Sequence, residues 1–442
     1  MKRITTKVAV LIIAAMAVNG CSILKKGAPK TPVLGNRVAV MTTENDVAVD
    51  PATAALPMVL PAPVVNTEWG QPGGNASKSM GHVALGNALG TAFSVSIGSG
   101  STLTARLGAP PVVGDGRVYT IDTEATVRAF DARTGAKIWE TQFGTEKGNS
   151  ASLFGGGVSV ESGRVYATNG LGFAAALDAR NGGLVWQVRP GGPLRGAPTV
   201  SGDTLYVVSQ DNQIYSLNTS DGKTKWSNAA ALEIAGVFGT GSPAVAQGTV
   251  VAGFSSGELN AYRYENGRLV WQDALARTSI RTSVASLSDI DANAVIDGGQ
   301  VFAIGQGGRM VALELNSGQR LWEVNIAGIS TPWVAGDWIF VVTDDAKLIA
   351  VARATGRVRW INQLPRFERA KAKRGQISYQ GPVLAGGRLI LVGSNGTLIN
   401  FDPVTGNYQS QTTLRVPITQ APVVANSTLY VLDDEGRLHA FR

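Results

Sequence analysis

The chain has 442 residues, of which 54 are Gly and only one is Cys, and its formal net charge is +7. The single Cys excludes an intrachain disulfide framework and a multi-cysteine zinc site, and two His (His82 and His439) exclude a histidine-rich metal site. With 44% hydrophobic and 16% charged residues the chain can bury a large core, which excludes wholesale disorder, and its Gly content predicts many turns.

The N-terminus has the parts of a bacterial export signal. Lys2, Arg3 and Lys7 precede an apolar run over residues 8–18. This run is too short to span a bilayer as a helix, which needs about 20 residues. Soon after it comes the only Cys, Cys21, in an arrangement that resembles the bacterial lipoprotein signal. The resemblance implies cleavage before Cys21 and a lipid on its thiol; the alternative is an ordinary signal peptide beside a free Cys.

The mature chain would begin with a lipid-anchored tether. Removal of residues 1–20 takes away three basic residues and no acids, which leaves a net charge of +4. A mildly basic charge on a large chain is not typical of nucleic-acid binding, so no nucleic-acid partner is expected. Ser22 favours the outer membrane, because lipoproteins of this type with Asp there tend to stay at the inner membrane. Residues 21–65 are rich in Pro, which predicts an extended linker.

One sequence pattern then recurs to the end of the chain. Its clearest feature is a Gly four residues before a Trp, with successive Trp residues 38 to 51 positions apart. The pairs are Gly135/Trp139, Gly182/Trp186, Gly222/Trp226, Gly267/Trp271, Gly318/Trp322 and Gly356/Trp360. A period near 40 to 50 residues with short alternating strands is typical of propeller blades. A seventh copy has Ser410 in place of Trp, and an eighth ends at Arg442 without an outer strand.

These repeats predict an all-β fold, an eight-bladed β-propeller over residues 66–442 with four-stranded antiparallel blades. Residues 67–70 include Trp69 and resemble an outer strand, so we predict that they pair with the last repeat and close the ring. Closure removes the exposed edges of an open ring. The repeated Trp side chains are predicted to pack between neighbouring blades. Ligand-stacking platforms are the alternative interpretation.

The repeats resemble the quinoprotein-type repeat of pyrroloquinoline-quinone dehydrogenases, which non-enzymes share. From Trp69 to Arg442, and with the lipoprotein signal, the chain resembles the BamB family of the outer-membrane β-barrel assembly machinery. The resemblance implies a non-enzymatic scaffold, lipid-anchored at the periplasmic face of the outer membrane, that docks on the POTRA domains of BamA. It implies other assembly-complex subunits and unfolded outer-membrane proteins as further partners. An outer strand could hold such a substrate by edge pairing.

Two loops carry the resemblance most specifically. Residues 287–291 match a loop with which BamB proteins contact BamA, so the resemblance makes Asp289 and Asp291 acidic contacts. Two aspartates two residues apart on an extended segment are expected to point to the same side. The alternatives for these two residues are a solvated acidic loop and a turn capped by Asp.

The second matching loop spans residues 231–236. Leu232 and Ile234 occupy the apolar contact positions of the family. The Arg that the family has beside them is replaced by Ala235 in this chain. Both loops are expected to leave blades on one side of the ring, which makes a shared contact surface plausible.

A quinone-dependent dehydrogenase is the alternative function. Such an enzyme needs a bound cation that polarises the quinone and an Asp base, and many carry adjacent Cys residues against the cofactor. The chain has no Cys after Cys21 and no Glu, Asn and Asp cluster at comparable points of successive blades. We therefore predict no enzymatic activity, no cofactor and no metal.

A basic run lies between the sixth and seventh copies, at residues 366–374. It could contact anionic lipid headgroups or an acidic partner. The alternative is a solvated surface loop.

Overall fold

The structure is a computed structural model that describes residues 47–145, 155–232, 239, 241–275 and 288–442. Within these residues the regular structure consists of 34 strands, one short α-helix and one 3₁₀ turn. Eight four-stranded sheets and one two-stranded hairpin account for all of the strands. Every strand pair is antiparallel, and within each sheet the strands follow in chain order, apart from the closing strand β1 (Thr91–Ser96), which comes from the N-terminal side. The predicted eight-bladed propeller is confirmed.

Each blade takes its strands in chain order from the central channel outward, and blade 8 takes its outer strand from the N-terminal side. Blades 1 to 3 are Val112–Gly114 (β2), Arg117–Ile121 (β3), Thr126–Asp131 (β4), Lys137–Gln142 (β5); Gly156–Glu161 (β6), Arg164–Asn169 (β7), Ala174–Asp178 (β8), Leu184–Val188 (β9); Thr199–Ser201 (β10), Thr204–Val208 (β11), Gln213–Asn218 (β12), Thr224–Ala229 (β13). Blades 4 to 6 are Ala244–Ala246 (β14), Thr249–Gly253 (β15), Glu258–Arg263 (β16), Leu269–Ala274 (β17); Val295–Asp297 (β18), Gln300–Ile304 (β19), Met310–Glu314 (β20), Arg320–Val324 (β21); Trp333–Ala335 (β22), Trp338–Val342 (β23), Lys347–Ala352 (β24), Val358–Gln363 (β25). Blades 7 and 8 are Tyr379–Ala385 (β28), Arg388–Gly393 (β29), Thr397–Phe401 (β30), Tyr408–Thr413 (β31); Val423–Ala425 (β32), Thr428–Leu432 (β33), Arg437–Phe441 (β34), Thr91–Ser96 (β1). Outside the blades lie helix α1 (Pro51–Ala55) and the hairpin Phe367–Arg369 (β26) and Arg374–Gln376 (β27), joined by the 3₁₀ turn Ala370–Ala372.

The second and third strands of the blades form the core. Strand β11 reads Thr-Leu-Tyr-Val-Val and strand β23 reads Trp-Ile-Phe-Val-Val, and both are buried along their whole length. Short apolar runs rich in β-branched and aromatic residues are typical of strands covered on both faces. In the outer strands β5 and β13 only the Trp is buried. The core therefore lies between neighbouring blades, and the outer strands face solvent.

Each of the six repeated Trp side chains packs against the next blade, which confirms the structural interpretation of these residues. Their exposure is only 7–8%. Every indole Nε1 donates a hydrogen bond to a backbone carbonyl of the following blade, at 2.7 to 3.1 Å. The pairs are Trp139 to Ala179, Trp186 to Thr219, Trp226 to Tyr264, Trp271 to Leu315, Trp322 to Arg353 and Trp360 to Pro403. We call this repeated contact the Trp lock.

The ring is closed by an N-terminal strand, as predicted, but the predicted segment is wrong. Strand β1 (Thr91–Ser96) pairs with β34, with Ser94 opposite His439. Its buried residue is Phe93, which takes the place of the Trp and packs against Gly135 of blade 1. Residues 67–70 cannot serve, because Trp69 lies in the central channel and pairs with an inner strand.

The Trp lock is missing between blades 7 and 8, where Ser410 stands in the Trp position. In other blades the Trp packs on the Gly of a continuous turn between the third and the outer strand. In blade 8 no such turn joins β34 to the outer strand, because that strand is β1 from the N-terminal side. Gly90 and Arg442 instead form two backbone hydrogen bonds of 2.6 and 2.9 Å. A Trp at position 410 would therefore lack the turn on which the others pack.

The described part of the predicted tether, residues 47–65, includes contacts with blade 6. Val49 forms a parallel bridge with Val358 at the start of β25, and helix α1 packs on the same strand. Arg357 and Asp50 form an ion pair of 2.9 Å beside this bridge. The N-terminal segment thus covers the first part of the outer edge of blade 6.

The Trp lock predicts that two glycines with the same backbone angle respond differently to Ala. Gly267 (φ +71°) would place a Cβ 2.6 Å from the Trp226 ring, whereas Gly163 (φ +72°) has no atom within 4 Å of its Cβ position. Both substitutions carry left-handed strain of about 1–2 kcal/mol. Gly267→Ala should lose about 1–3 kcal/mol more, because the indole has to move. Urea unfolding of both variants measures the difference, and equal losses would contradict the lock.

Candidate functional site

The N-terminal segment enters the central channel and bonds to the inner strand of every blade in turn. The hydrogen bonds, from blade 8 through blades 1 to 7, are Asn66 Nδ2 to Val424 O (2.6 Å), Trp69 N to Val113 O (2.8 Å), Val160 N to Gly70 O (2.7 Å), Gln71 Nε2 to Val200 O (2.7 Å), Val245 N to Ala76 O (2.8 Å), Ile296 N to Ser77 O (2.8 Å), Trp333 Nε1 to Gly81 O (2.7 Å) and Val83 N to Leu384 O (3.1 Å). We call residues 66–84 the plug. It satisfies backbone groups that inner strands would otherwise leave unpaired in the channel.

The plug lies at the end of the channel where the first and second strands of the blades are joined. Two residues of those turns bond to it or to its flank: Asn426 N donates to Asn66 O (2.8 Å) and Gly387 N donates to His82 Nε2 (2.9 Å). At the other end the blades are connected to one another, and the predicted contact loops are two of these connections. The plug and the predicted contact loops therefore lie at opposite ends of the channel.

A cavity of about 340 Å³ lies under the plug. Trp69 and Lys78 of the plug form part of its lining. Leu107 and Asp291 from the connections between blades, and Gln380 near the start of β28, form part of its wall. The Trp69 ring stacks on Trp333 with centroids 6.0 Å apart and an interplanar angle of 15°. The cavity therefore faces the end of the channel at which the predicted contact loops begin.

Lys78 is a buried cation in this plug. Its side chain is 2% exposed, and its Nζ donates to Thr199 Oγ1 of blade 3 at 3.0 Å. Burial lowers the pKa of Lys78 to about 7, because desolvation disfavours the charged ammonium. Its charge therefore changes near neutral pH, and the stability of the plugged ring depends on pH.

The structure places the two predicted acidic contacts inside the protein. Asp289 is fully buried, and its backbone carbonyl accepts from Gln306 N at 3.0 Å. Asp291 Oδ1 accepts from Arg195 Nη2 at 2.9 Å, and the side chains of this ion pair are 7% and 5% exposed. Burial raises the pKa of Asp291 to about 7, with the Arg195 guanidinium opposing the shift and the Asp289 carboxyl adding to it. Neither carboxylate is presented to solvent in the isolated chain.

The Arg195–Asp291 pair joins the roots of both predicted contact loops. Arg195 Nε also donates to Gly239 O in the connection between blades 3 and 4, at 3.3 Å. A Cβ on Gly239 would lie 1.4 Å from Asp291 Oδ1, so the two connections touch there. Arg195 could not be predicted from the sequence, because no motif marks it and its partners are far away along the chain.

Of the predicted apolar contacts, Leu232 is described and is 76% exposed. Ile234 and Ala235 lie outside the described residues, as do Cys21 and the first residue of the other loop, Leu287. In the described ranges no group of three or more His, Cys, Asp and Glu could hold a metal ion. The helices in those same ranges include none with the length and apolar character that a membrane span requires.

Comparison with known proteins finds one consistent family. A family sequence model described as outer membrane protein assembly factor BamB matches residues 95–152 and 123–362. The BamB of Yersinia pestis is 28% identical over 329 residues, which cover 73% of this chain and 81% of that protein. The BamB of Vibrio cholerae is 34% identical over 287 residues, covering 65% and 69%.

Solved structures show the same fold. A crystal structure of BamB from Moraxella catarrhalis matches with a TM-score of 0.65 at 17% identity and covers 80% of this chain and 98% of that one. A europium-containing methanol dehydrogenase matches with a TM-score of 0.67 at 14% identity and covers 83% and 89%. At these identities the two matches show the propeller fold alone.

The buried Lys78 predicts a rise in stability between pH 7 and pH 9. In this window the unfolded chain binds a proton at Lys78 that the folded chain has largely released, so the free energy of unfolding increases with pH. The gain should be about 2 kcal/mol. It should be absent in Lys78→Met and retained in the control Lys137→Met, whose side chain is 51% exposed. Urea unfolding at several pH values measures it, and equal slopes in all three proteins would refute it.

Proposed function

The chain belongs to the BamB family of outer-membrane protein assembly factors, and from this premise we propose that it is a non-enzymatic scaffold in the assembly of outer-membrane β-barrel proteins. The observation that carries the proposal is the family match over residues 95–362 on a complete propeller. A lipid on Cys21 would hold the protein at the periplasmic face of the outer membrane. The propeller would dock on the POTRA domains of BamA and contact other subunits of the machinery.

The plugged channel supports a scaffold over a dehydrogenase. One end of the channel is filled by the chain's own residues 66–84, which bond to all eight blades. The lining of the cavity that remains includes the buried Lys78, Asp291 of the buried ion pair, and the stacked rings of Trp69 and Trp333. These groups belong to the interior of the ring, and partners of a scaffold would bind on its outside.

Docking on BamA is proposed through the connections that leave blades 3 and 4. Leu232 supplies an exposed apolar side chain on the first connection. Asp289 and Asp291 belong to the second connection, and here we assign them to positioning, because both are buried and Asp291 bonds to Arg195. A charge reversal at either Asp would therefore bury a second cation near Arg195. The cleaner test of docking is a substitution at Leu232.

Leu232→Asp should weaken binding to the BamA POTRA domains at least ten-fold, because a charged side chain would replace an apolar contact at the interface. The matched control is Leu103→Asp, which changes a leucine that is 92% exposed on another connection. Both variants should unfold at the wild-type temperature. Titration of the purified POTRA domains measures the affinity. Equal binding of wild type and Leu232→Asp would contradict this assignment of the docking surface.

Strand β31 of blade 7 is the outer strand best suited to hold an unfolded substrate. It reads Tyr-Gln-Ser-Gln-Thr-Thr, is the last strand of its sheet, and has all six residues exposed. The outer strands of the other seven blades each bury a Trp or Phe. An uncharged edge without Pro lacks the devices with which proteins block edge pairing. An extended segment of an unfolded outer-membrane protein could add to it as a further strand.

A photo-crosslinking residue in place of Gln411 should therefore trap unfolded outer-membrane proteins in living cells. The matched control replaces Ile361, the equivalent position on β25, because the Val49 bridge and α1 occupy the first part of that strand's edge and leave less of it free for a further strand. Substrate adducts should form at position 411 and be at least several-fold fewer at 361, with mass spectrometry of the adducts as the readout. Equal yields at both positions, or no substrate at 411, would reject substrate pairing on this strand.

A further inference from the structure

Between blades 6 and 7 the chain leaves the ring as a β-hairpin. Strand β26 pairs with β27, with Phe367 opposite Gln376 and Arg369 opposite Arg374. The base is closed by a hydrogen bond from Ile377 N to Arg366 O at 3.0 Å. Apart from Phe367, which is half-buried, residues 366–376 are exposed. The basic run seen in the sequence is thus a folded projection with defined pairing.

The hairpin concentrates the positive charge of the propeller. Residues 47–442 contain 32 Lys and Arg and 30 Asp and Glu, a net charge of +2. Residues 366–376 contain five basic residues and one acid, a net charge of +4, so the rest of the propeller is slightly negative. The guanidinium of Arg366 lies over the Phe367 ring, 5.8 Å from its centroid. The five cations are Arg366, Arg369, Lys371, Lys373 and Arg374.

The hairpin and the N-terminal segment both adjoin β25, the outer strand of blade 6, and we call this edge of the propeller the rim of blade 6. Strand β25 receives the Val49 bridge at Val358, its first residue, and ends at Gln363, three residues before Arg366. A six-residue strand is about 20 Å long. The N-terminal segment and the hairpin therefore meet blade 6 at opposite ends of a single outer strand.

We propose that this hairpin is a membrane-contact element that seats the rim of blade 6 on an anionic bilayer surface. The inference rests on the proposed lipid anchor at Cys21. The 25 residues between Cys21 and Val47 can span at most about 90 Å, so an anchored chain keeps this rim within reach of the bilayer. Tethering converts a weak contact into an intramolecular one, which favours the bilayer over an untethered acidic protein.

The chemistry of the hairpin fits this role. Each basic residue close to an anionic leaflet adds to the electrostatic attraction. An acyl anchor together with a basic patch holds a protein on a membrane more stably than the acyl chain alone. Phe367 offers an aromatic ring at the base of the projection. The hairpin is the connection from blade 6 to blade 7, so it lies at the same end of the channel as the connections that leave blades 3 and 4. Around the ring it is separated from this proposed docking surface by blades 5 and 6.

The test uses the mature chain with Cys21→Ala, so that no lipid contributes to binding. It is mixed with vesicles of phosphatidylcholine alone or with about 30% phosphatidylglycerol, and flotation measures the bound fraction. The hairpin variant carries Arg369→Glu, Lys371→Glu, Lys373→Glu and Arg374→Glu. The matched control reverses four exposed cations in the turns before the outer strands of blades 1 to 4: Arg133→Glu, Arg180→Glu, Lys223→Glu and Arg268→Glu.

The unlipidated chain should bind the anionic vesicles and not the neutral ones. The hairpin variant should bind at least ten-fold less, the control variant should stay within two-fold, and about 0.5 M NaCl should abolish binding. Equal binding to both vesicles, undiminished binding of the hairpin variant, or an equal loss in the control would overturn the inference. So would a hairpin variant that binds vesicles normally and loses an acidic protein partner.

Two further measurements separate this inference from the proposed function. The thermal midpoint of each variant shows that the propeller remains folded. The mass of the N-terminal peptide of the native protein reports the lipid on Cys21 directly. An unmodified Cys21 with hairpin-dependent vesicle binding would overturn the anchor alone, and a lipidated Cys21 without vesicle binding would overturn the membrane-contact hairpin alone.

Discussion

The hydrogen bond from an outer-strand indole to a carbonyl of the next blade is the interaction on which this ring depends. A propeller blade has no interior of its own, so it must bury its faces against two neighbours. The Trp lock does this with one large side chain, one directed bond and one Gly turn, repeated with bond lengths of 2.7 to 3.1 Å. Phe93 replaces the indole at the closing blade, and Ser410 stands at the junction with blade 8, whose outer strand comes from the N-terminal side.

The plug adds a second constraint from inside. Inner strands present unpaired backbone groups to the channel, and residues 66–84 satisfy at least one of them on seven blades and bond to the Trp333 indole of blade 6. The ring is therefore held at its rim by the Trp lock and at its axis by the plug. This division leaves the connections between blades, at the other end of the channel, free to carry the proposed docking surface. The Arg195–Asp291 pair ties the roots of two of these connections together.

At the candidate site the sequence motif predicted two segments that lie together but not the exposure of their side chains. The match at residues 287–291 and 231–236 selected two connections at the same end of the channel, and the structure brings residues of both into contact at Asp291 and Gly239. The motif could not tell which side chains face outward. Asp289 is buried and Asp291 is paired with Arg195, while Leu232 is exposed. Burial of this kind depends on Arg195 from a third connection, which lies about a hundred residues away.

The sequence by itself determined the architecture, because the Gly and Trp spacing reflects a turn and an outer strand in each of six blades. Such local patterns can be recognised without knowledge of the tertiary structure. It also predicted that a strand from the N-terminal side closes the ring, because the last repeat has no outer strand of its own. Only the tertiary structure decided which segment does so. Trp69 is the residue type expected in an outer strand, yet its ring stacks on Trp333 inside the channel. Phe93 occupies the position between blades instead. The choice between them rests on contacts with blades that lie far along the chain, and no local pattern encodes those contacts.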